Sequence, residues 1–428
     1  MGIMTAPAQQ KWDLSQCIEH AIESNIGIKQ HEAACKQNEV KLNTARWSRL
    51  PNLTGGVGHS FNFGRSLQAD NTYRSINTQN TTLNLNTNIP LFTGMRITNN
   101  IALSKLDLRA AVEDLNKAKE DISIQVASAY LQVLFNEELA KVAHSQVEMS
   151  EMLLKEKEAY FENGKLPEAE LYEAKARLEQ DRLSSVQADN NWKLALLDLS
   201  QLLELPTPED FNIVSPQIED GQLFATLTPP TEIYQEALLI KPGIKAAMYR
   251  LEGAEHNVKI AKSAYFPQLS VAGGLSTNYY NVSHLKNGSF GNQMKDNFGQ
   301  FVGVQLNIPI FNRLSTRNQT RLARIEQTTL NWKLEESKKQ LFKEIQVAYY
   351  NALAAKSRYD SSNSAEQAAQ ASFQLMKEKY ANGKANSTDY NESRTSWMKA
   401  VSEHIQAKYE YLFRTKILDF YRGKEIRL

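Results

Sequence analysis

Two runs of this chain alternate strictly between apolar and polar residues. Each leads into a stretch of about 70 residues whose apolar positions recur with the helical period. In the first run Leu83, Leu85, Thr87 and Ile89 alternate with Asn84, Asn86 and Asn88; in the second Val302, Val304, Leu306 and Ile308 alternate with Gly303, Gln305 and Asn307. A partner run precedes each. Leu53, Gly55, Val57, His59, Phe61 and Phe63 share one face of the first partner, and Leu269, Val271, Gly273, Leu275, Thr277 and Tyr279 share one face of the second. Runs of ~10 residues with one apolar face and one polar or glycine face predict four strands of the membrane β-barrel type. The polar segments inside each pair, about residues 64–80 and 280–297, predict loops. At the other end strand hands over to helix at Pro51, Pro90, Pro267 and Pro309, among the aromatic residues Trp47, Phe92, Tyr265, Phe266 and Phe311. Aromatic side chains gather in this way at a membrane–water interface.

Residues 91–163 contain no proline and the single glycine Gly94, and residues 311–382 contain neither. Ile122, Val126, Ala129, Tyr130 and Val133 mark the buried face of the first stretch; Leu341, Ile345, Ala348, Tyr349 and Ala352 mark that of the second. About 70 helical residues reach ~105 Å, and a helix that long is stable only when packed along its length. Shorter helical stretches fall at 14–47, 169–205, 231–264 and 389–420, so two of them end to end match one long helix. The long helices reverse at Asn163-Gly164-Lys165 and Asn382-Gly383-Lys384, where an amide and a glycine end the helix.

The chain repeats itself. At one constant offset Ile89-Pro90-Leu91-Phe92 falls on Ile308-Pro309-Ile310-Phe311, Ala129-Tyr130 on Ala348-Tyr349, and Phe161 to Lys165 on Tyr380 to Lys384. Upstream, Pro51-Asn52-Leu53 falls on Pro267-Gln268-Leu269 at a slightly smaller offset, so the second copy carries the longer loop. The expected organisation is a first repeat over 12–205, a connector over 206–230 containing Pro206, Pro208, Pro216, Pro229 and Pro230, and a second repeat over 231–423. The two repeats jointly supply the strands and the helices.

Composition narrows the function. Hydrophobic residues are 42%, charged residues 23% and the net charge +1. With acids and bases mixed along the chain there is no basic stripe for nucleic acid. Cys17 and Cys35 lie ~27 Å apart along one predicted helix, beyond disulfide reach, and read as small apolar packers. No apolar run is long enough for a spanning helix, and residues 1–10 lack the features of a secretory signal. The seven histidines are scattered, with no pair at helical spacing and no Cys-x-x-Cys. Neither metal site, cofactor nor catalytic constellation is expected. The sparse methionines give no sign of a copper or silver cargo.

Four strands immersed in lipid cannot remain an open sheet, because each unpaired N–H or C=O in hydrocarbon costs several kcal/mol. Closure calls for strands from several chains: two chains give eight strands and a packed interior, three give twelve and a lumen. A soluble coiled-coil scaffold, with the hairpins as packing elements, is the competing reading.

The doubled strand–strand–long-helix unit, the Ile-Pro-Leu/Ile-Phe joints, the Ala-Tyr pairs and the Phe/Tyr-x-x-Gly tips resemble the TolC-type outer membrane efflux proteins. The likeness runs over nearly the whole chain. It implies an α+β membrane protein in which a homotrimer forms a twelve-stranded β-barrel in the outer membrane, four strands per chain, continued by a long α-helical periplasmic barrel. It also implies a passive exit duct that docks with a periplasmic adaptor protein and an inner-membrane RND, ABC or MFS transporter.

The same resemblance singles out two regions. Asp389 and Glu392 match, residue by residue, the acidic rings at the family's closed periplasmic entrance, and Glu170 and Glu173 hold the equivalent places in the first repeat. On their own these carboxylates also read as helix N-terminal acids offsetting the helix dipole. The basic latch residue that the family often carries after the tip glycine is replaced by Ala385, with Lys384 as a substitute. The tips, Phe161, Asn163, Gly164 and Lys165 with Tyr380, Asn382, Gly383 and Lys384, would meet the adaptor; they read equally as plain helix C-caps.

Overall fold

The computed structural model describes residues 11–67, 71–205, 211–216, 227–283 and 285–426. Residues 1–10 and much of the expected connector, including Pro206 and Pro208, lie outside them. The helices are α1 (Leu14–Ser24), α2 (Ile26–Trp47), α3 (Arg96–Glu162), α4 (Glu168–Leu202), α5 (Pro230–Ile240), α6 (Pro242–Ser263), α7 (Phe290–Asp296), α8 (Ser315–Ala381) and α9 (Ser387–Tyr421). The strands are β1 (Asn52–Asn62), β2 (Arg65–Leu67), β3 (Tyr73–Ser75), β4 (Thr78–Phe92), β5 (Gln268–Val282) and β6 (Gly299–Asn307). The repeat is legible in element lengths: α3 and α8 have 67 residues each, α4 and α9 have 35, α2 and α6 have 22, and α1 and α5 have 11. The chain forms two compact units, each drawing segments from both repeats: one from residues 34–112 and 246–334, the other from the remainder.

The first of these units carries a four-stranded antiparallel sheet in the order β1-β4-β5-β6. Its register places Val57 opposite Leu83 and Leu83 opposite Thr277; Leu85 lies between Gly55 and Leu275, and Ile89 opposite Val271, itself opposite Val304. The alternating residues of all four strands therefore make one continuous apolar face, because side chains directly across a ladder share a side. The opposite face carries Asn84, Asn86 and Asn88, and the Asn86 amide donates to Asn84 Oδ1 at 3.2 Å. Leu53, Val57, Val302, Val304 and Leu306 of the apolar face are all exposed. Among the described residues, no strand pairs with the outer edge of β1 or of β6.

Sequence reasoning treated the two inter-strand segments as loops. The first instead contains the β2–β3 hairpin, and β4 begins within it at Thr78; the second contains the end of β5 and the short helix α7. A short polar hairpin and a helix of seven residues carry too few positions to show a period. The expectation that Pro90 marks a joint also needs correction. Pro51 and Pro267 sit immediately before β1 and β5, and Pro309 follows β6, but Pro90 lies inside β4 at a bulge. It is tolerated there because the β1 ladder starts only at Asn52 opposite Asn88, so the missing N–H has no partner to lose on that side. The true strand-to-helix corners are Gly94-Met95 and Arg313-Leu314, equivalent pairs in which both residues have φ between 56° and 67°. Consecutive left-handed residues turn the chain sharply, and non-glycine residues hold that conformation at a cost.

The second unit is helical. Its core gathers Val126, Ala127, Tyr130, Val133 and Leu134 of α3 with Cys17 and Ala21 of α1, Leu199 of α4, and Tyr411 and Leu412 of α9. Val126, Tyr130 and Val133 are among the helix-period positions that the pattern marks on α3; Ala127 and Leu134 are not, and Ala129 is only partly buried. Tyr130 donates its hydroxyl to Val214 O at 2.6 Å, tying down the described part of the connector, where Trp12 and Ile213 form an isolated bridge. The helices expected at 14–47 and 231–264 are each interrupted. Pro242 lacks an N–H and forces Lys241 out of the helical region, to ψ 124°. In the first repeat Asn25 does the same without proline: its side-chain oxygen accepts from the Gly27 and Ile28 N–H groups, capping α2.

Candidate functional site

Both tips lie in the helical unit, at the α3–α4 and α8–α9 turns. The backbone of the two is alike. Gly164 N–H donates to Phe161 O and Lys165 N–H to Tyr160 O, both at 2.9 Å; Gly383 N–H donates to Tyr380 O at 2.9 Å and Lys384 N–H to Lys379 O at 2.8 Å. This crossed pair of bonds is the Schellman motif, which requires a left-handed residue, and Gly164 and Gly383 have φ of 68° and 70°. Asn163 and Asn382 donate their side-chain amides to Ala159 O and Glu378 O, so both amides are absorbed in capping. The glycines and amides are thus explained by the turn itself. Phe161, Lys165 and Lys384 point outward and are not needed for it.

The four carboxylates do not behave alike. Glu170, in the first turn of α4, accepts from Lys157 Nζ at 3.0 Å. Glu173 accepts from Ser387 Oγ at 3.2 Å. Asp389 and Glu392 are exposed and have no ion-pair partner among the described residues. For Asp389, the counterpart of Glu170, the cause is a single substitution between repeats: the place that Lys157 fills on α3 is held by Met376 on α8. Burial alone would lower the pKa of the Lys157 ammonium, whose side chain is 4% exposed, but Glu170 and the facing Tyr380 hold it above the ordinary lysine value. Of the four, Glu170 alone faces a cation; Glu173, Asp389 and Glu392 have no ion-pair partner among the described residues.

The two hairpins are knitted together beside the tips. Lys157 Nζ of the first hairpin lies 6.0 Å from the Tyr380 ring centroid of the second, within which Tyr380 stacks on Tyr390 at 4.9 Å and Phe373 on Trp397 at 5.0 Å. Arg177 donates to Thr395 Oγ1 at 3.1 Å. Deeper, Arg394 of α9 is buried to 1% exposure; its Nη2 donates to Asp181 Oδ2 of α4 at 2.9 Å and to Gln146 O of α3 at 2.8 Å. Ser150 donates its hydroxyl to the same Asp181 oxygen, and Arg177 Nε approaches Asp181 Oδ1 at 3.4 Å. Arg394 Nε and Nη1 find no acceptor among the described residues. The sequence reading missed Lys157, Asp181 and Arg394. Comparing the repeats position by position would have marked two of them, since Lys157 aligns with Met376 and Asp181 with Ala400.

Among the described residues there is no group of histidine, cysteine and carboxylate side chains suited to a metal ion, and no helix long and apolar enough to cross a membrane. The arrangement can present charge, aromatic surface and turns to a partner.

The model of the outer membrane efflux protein family matches the chain twice, over residues 17–204 and 233–422. The outer membrane protein TolC of Escherichia coli K12 is 23% identical over 411 residues, which covers 94% of this chain and 80% of TolC. The outer membrane efflux protein BepC of Brucella suis is 25% identical over 74% of this chain, and the match spans 65% of BepC's own length. Among solved structures, the Campylobacter jejuni CmeC outer membrane channel superposes with a TM-score of 0.79 at 21% identity, covering 97% of this chain and 87% of CmeC. A crystal structure of CusC gives a TM-score of 0.79 at 16% identity over 98% of this chain and 95% of CusC. The fold is that of these channels, and with a family match that spans both repeats the chain belongs to the outer membrane efflux proteins.

Proposed function

We infer that this chain is the outer-membrane exit duct of a tripartite efflux or secretion system. The observation that carries this reading is the sheet: four strands with one continuous exposed apolar face and two unpaired edges, in a member of the outer membrane efflux family. In hydrocarbon the edges of β1 and β6 are satisfied only by the strands of sister subunits. Three chains close a twelve-stranded barrel whose inward face carries Asn84, Asn86 and Asn88, a lining suited to water. The helical unit then forms the periplasmic portion, and the repeats 12–205 and 231–423 contribute jointly to both parts. Conduction is passive; energy comes from an inner-membrane transporter of the RND, ABC or MFS kind, coupled through a periplasmic adaptor. The family match leaves the soluble coiled-coil scaffold without support.

The mature protein is expected to leave the membrane fraction only with detergent, and to run as an assembly of three times the 48.5 kDa chain mass. A monodisperse monomer in plain buffer would overturn the reading.

Adaptor docking is assigned to the tips. Gly164→Trp with Gly383→Trp should abolish export complementation while leaving the trimer intact. Any side chain at φ near +70° strains the turn, so the paired alanine variant controls for backbone cost. Docking is refuted if the tryptophan pair exports as well as wild type, or if the alanine pair fails equally.

A further inference from the structure

Positive charge is not mixed evenly in the unit that carries the sheet. Where α6 ends and α8 begins, a cleft of about 530 Å3 is lined by Lys262, Arg317, Arg321 and Arg324, together with Tyr265, Phe266 and Thr320. Arg317, Arg321 and Arg324 recur at i, i+4 and i+7, so one face of α8 presents all three guanidinium groups. Like charges at this spacing repel and are ordinarily relieved by a nearby carboxylate. None of the four cations has an ion-pair partner among the described residues. Between Lys259 and Ile325 the sequence holds one acid, Asp296. It lies in α7, which connects the far ends of β5 and β6.

Four converging cations without an anion imply that the anion comes from outside the chain. Their surroundings say what kind. Tyr265 and Phe266 are exposed and stand directly before Pro267 and the first residue of β5. Ile308, Ile310 and Phe311, exposed between β6 and α8, continue the apolar surface of the strands to the same level. Cations beside exposed aromatic and aliphatic side chains match an amphiphile whose phosphate meets guanidinium groups while its chains lie on an apolar wall. A freely soluble phosphate would need only the cations.

We propose that this cleft holds the phosphate headgroup of an anionic phospholipid, anchoring the helix end of the sheet at the membrane surface. This rests on the membrane reading given above. The first repeat reproduces the site only in part: Lys262 and Arg324 correspond there to Arg46 and Lys105, but Arg317 and Arg321 to Thr98 and Ala102. One lipid per chain is the resulting stoichiometry.

The test is native mass spectrometry of the full chain in a neutral detergent, titrated with phosphatidylglycerol, with phosphatidylcholine, and with inorganic phosphate as competitor. Wild type should retain one phosphatidylglycerol per chain in preference to phosphatidylcholine, undisturbed by millimolar phosphate. Each lost cation weakens the site roughly fivefold, so Arg321→Gln with Arg324→Gln should weaken it roughly 25-fold. The charge-matched control, Lys29→Gln with Lys193→Gln on the helical unit, should leave it unchanged. Equal retention in wild type and the arginine variant, or loss in the lysine control, overturns the site. Displacement by inorganic phosphate overturns the lipid and assigns the cleft to a soluble anion. The same spectra report assembly: a chain that needs no detergent defeats the membrane reading, whereas a detergent-bound trimer indifferent to the arginines defeats only the lipid site.

Discussion

Arg394→Met is expected to open the tip half of the helical unit, at a cost of about 3–5 kcal/mol. The arginine is buried to 1% exposure and its principal partner Asp181 is buried to 4% of its side chain. Removing the guanidinium leaves a buried carboxylate with Ser150 and, at 3.4 Å, the partly buried Arg177. A lone buried charge is worse than a buried pair, and worse than no charge at all. The double replacement, Arg394→Met with Asp181→Leu, should therefore recover most of the loss. Amide hydrogen exchange along residues 146–181 and 387–400 reads this directly. At about 1.4 kcal/mol per factor of ten, protection should fall at least about 100-fold in the single variant and return in the double. Equal protection in wild type and Arg394→Met would show that the pair carries no net weight.

Asp389→Ala with Glu392→Ala is expected to raise single-channel conductance several-fold in planar bilayers and to bring the cation-to-anion permeability ratio down towards unity. Both carboxylates are exposed and unpaired in the single chain. In the proposed trimer they would stack into two rings of like charge around a narrow axis, where low-dielectric walls focus the field. Such rings would draw cations, repel anions and hold a repulsion that is lost with the charge. The equivalent change in the first repeat, Glu170→Ala with Glu173→Ala, should move selectivity less, because Lys157 already neutralises one of the two, Glu170. Reversal potentials unchanged in the Asp389/Glu392 variant, or shifted equally in both, would remove the ring assignment.

Much of the architecture is written in local periods. The strands at 83–89 and 302–307 and the two long helices could be read because alternation and the helical repeat are sequence-local, and because proline and glycine are absent from α3 and α8. The corner at Lys241 carried its signal in Pro242. The matching break at Asn25 had no such punctuation; there an amide side chain captures two backbone donors, and asparagine is too common for that use to stand out. Pro90 misled for a related reason. A proline after an alternating run resembles a stop, yet the ladder beside it had not begun. Harder still was the Arg394–Asp181 pair. Its partners are more than 200 residues apart in the chain, and each lies on a helix face whose other residues are ordinary. The resemblance set Asp389 and Glu392 above Glu170 and Glu173, but the ion pair that separates the neutralised Glu170 from the bare Asp389 depends on Lys157, across the turn on another helix.

The matched helix lengths have a further consequence, for how genes of this kind tolerate gain and loss of codons. Deleting one residue from α3 alone would draw its turn back by ~1.5 Å and swing every later side chain through ~100°, detaching Lys157 from Tyr380 and Asp181 from Arg394. Only paired changes, of the same size in both halves and in steps that restore the helical phase, keep the hairpins level. Indels in this family should accordingly occur in twos.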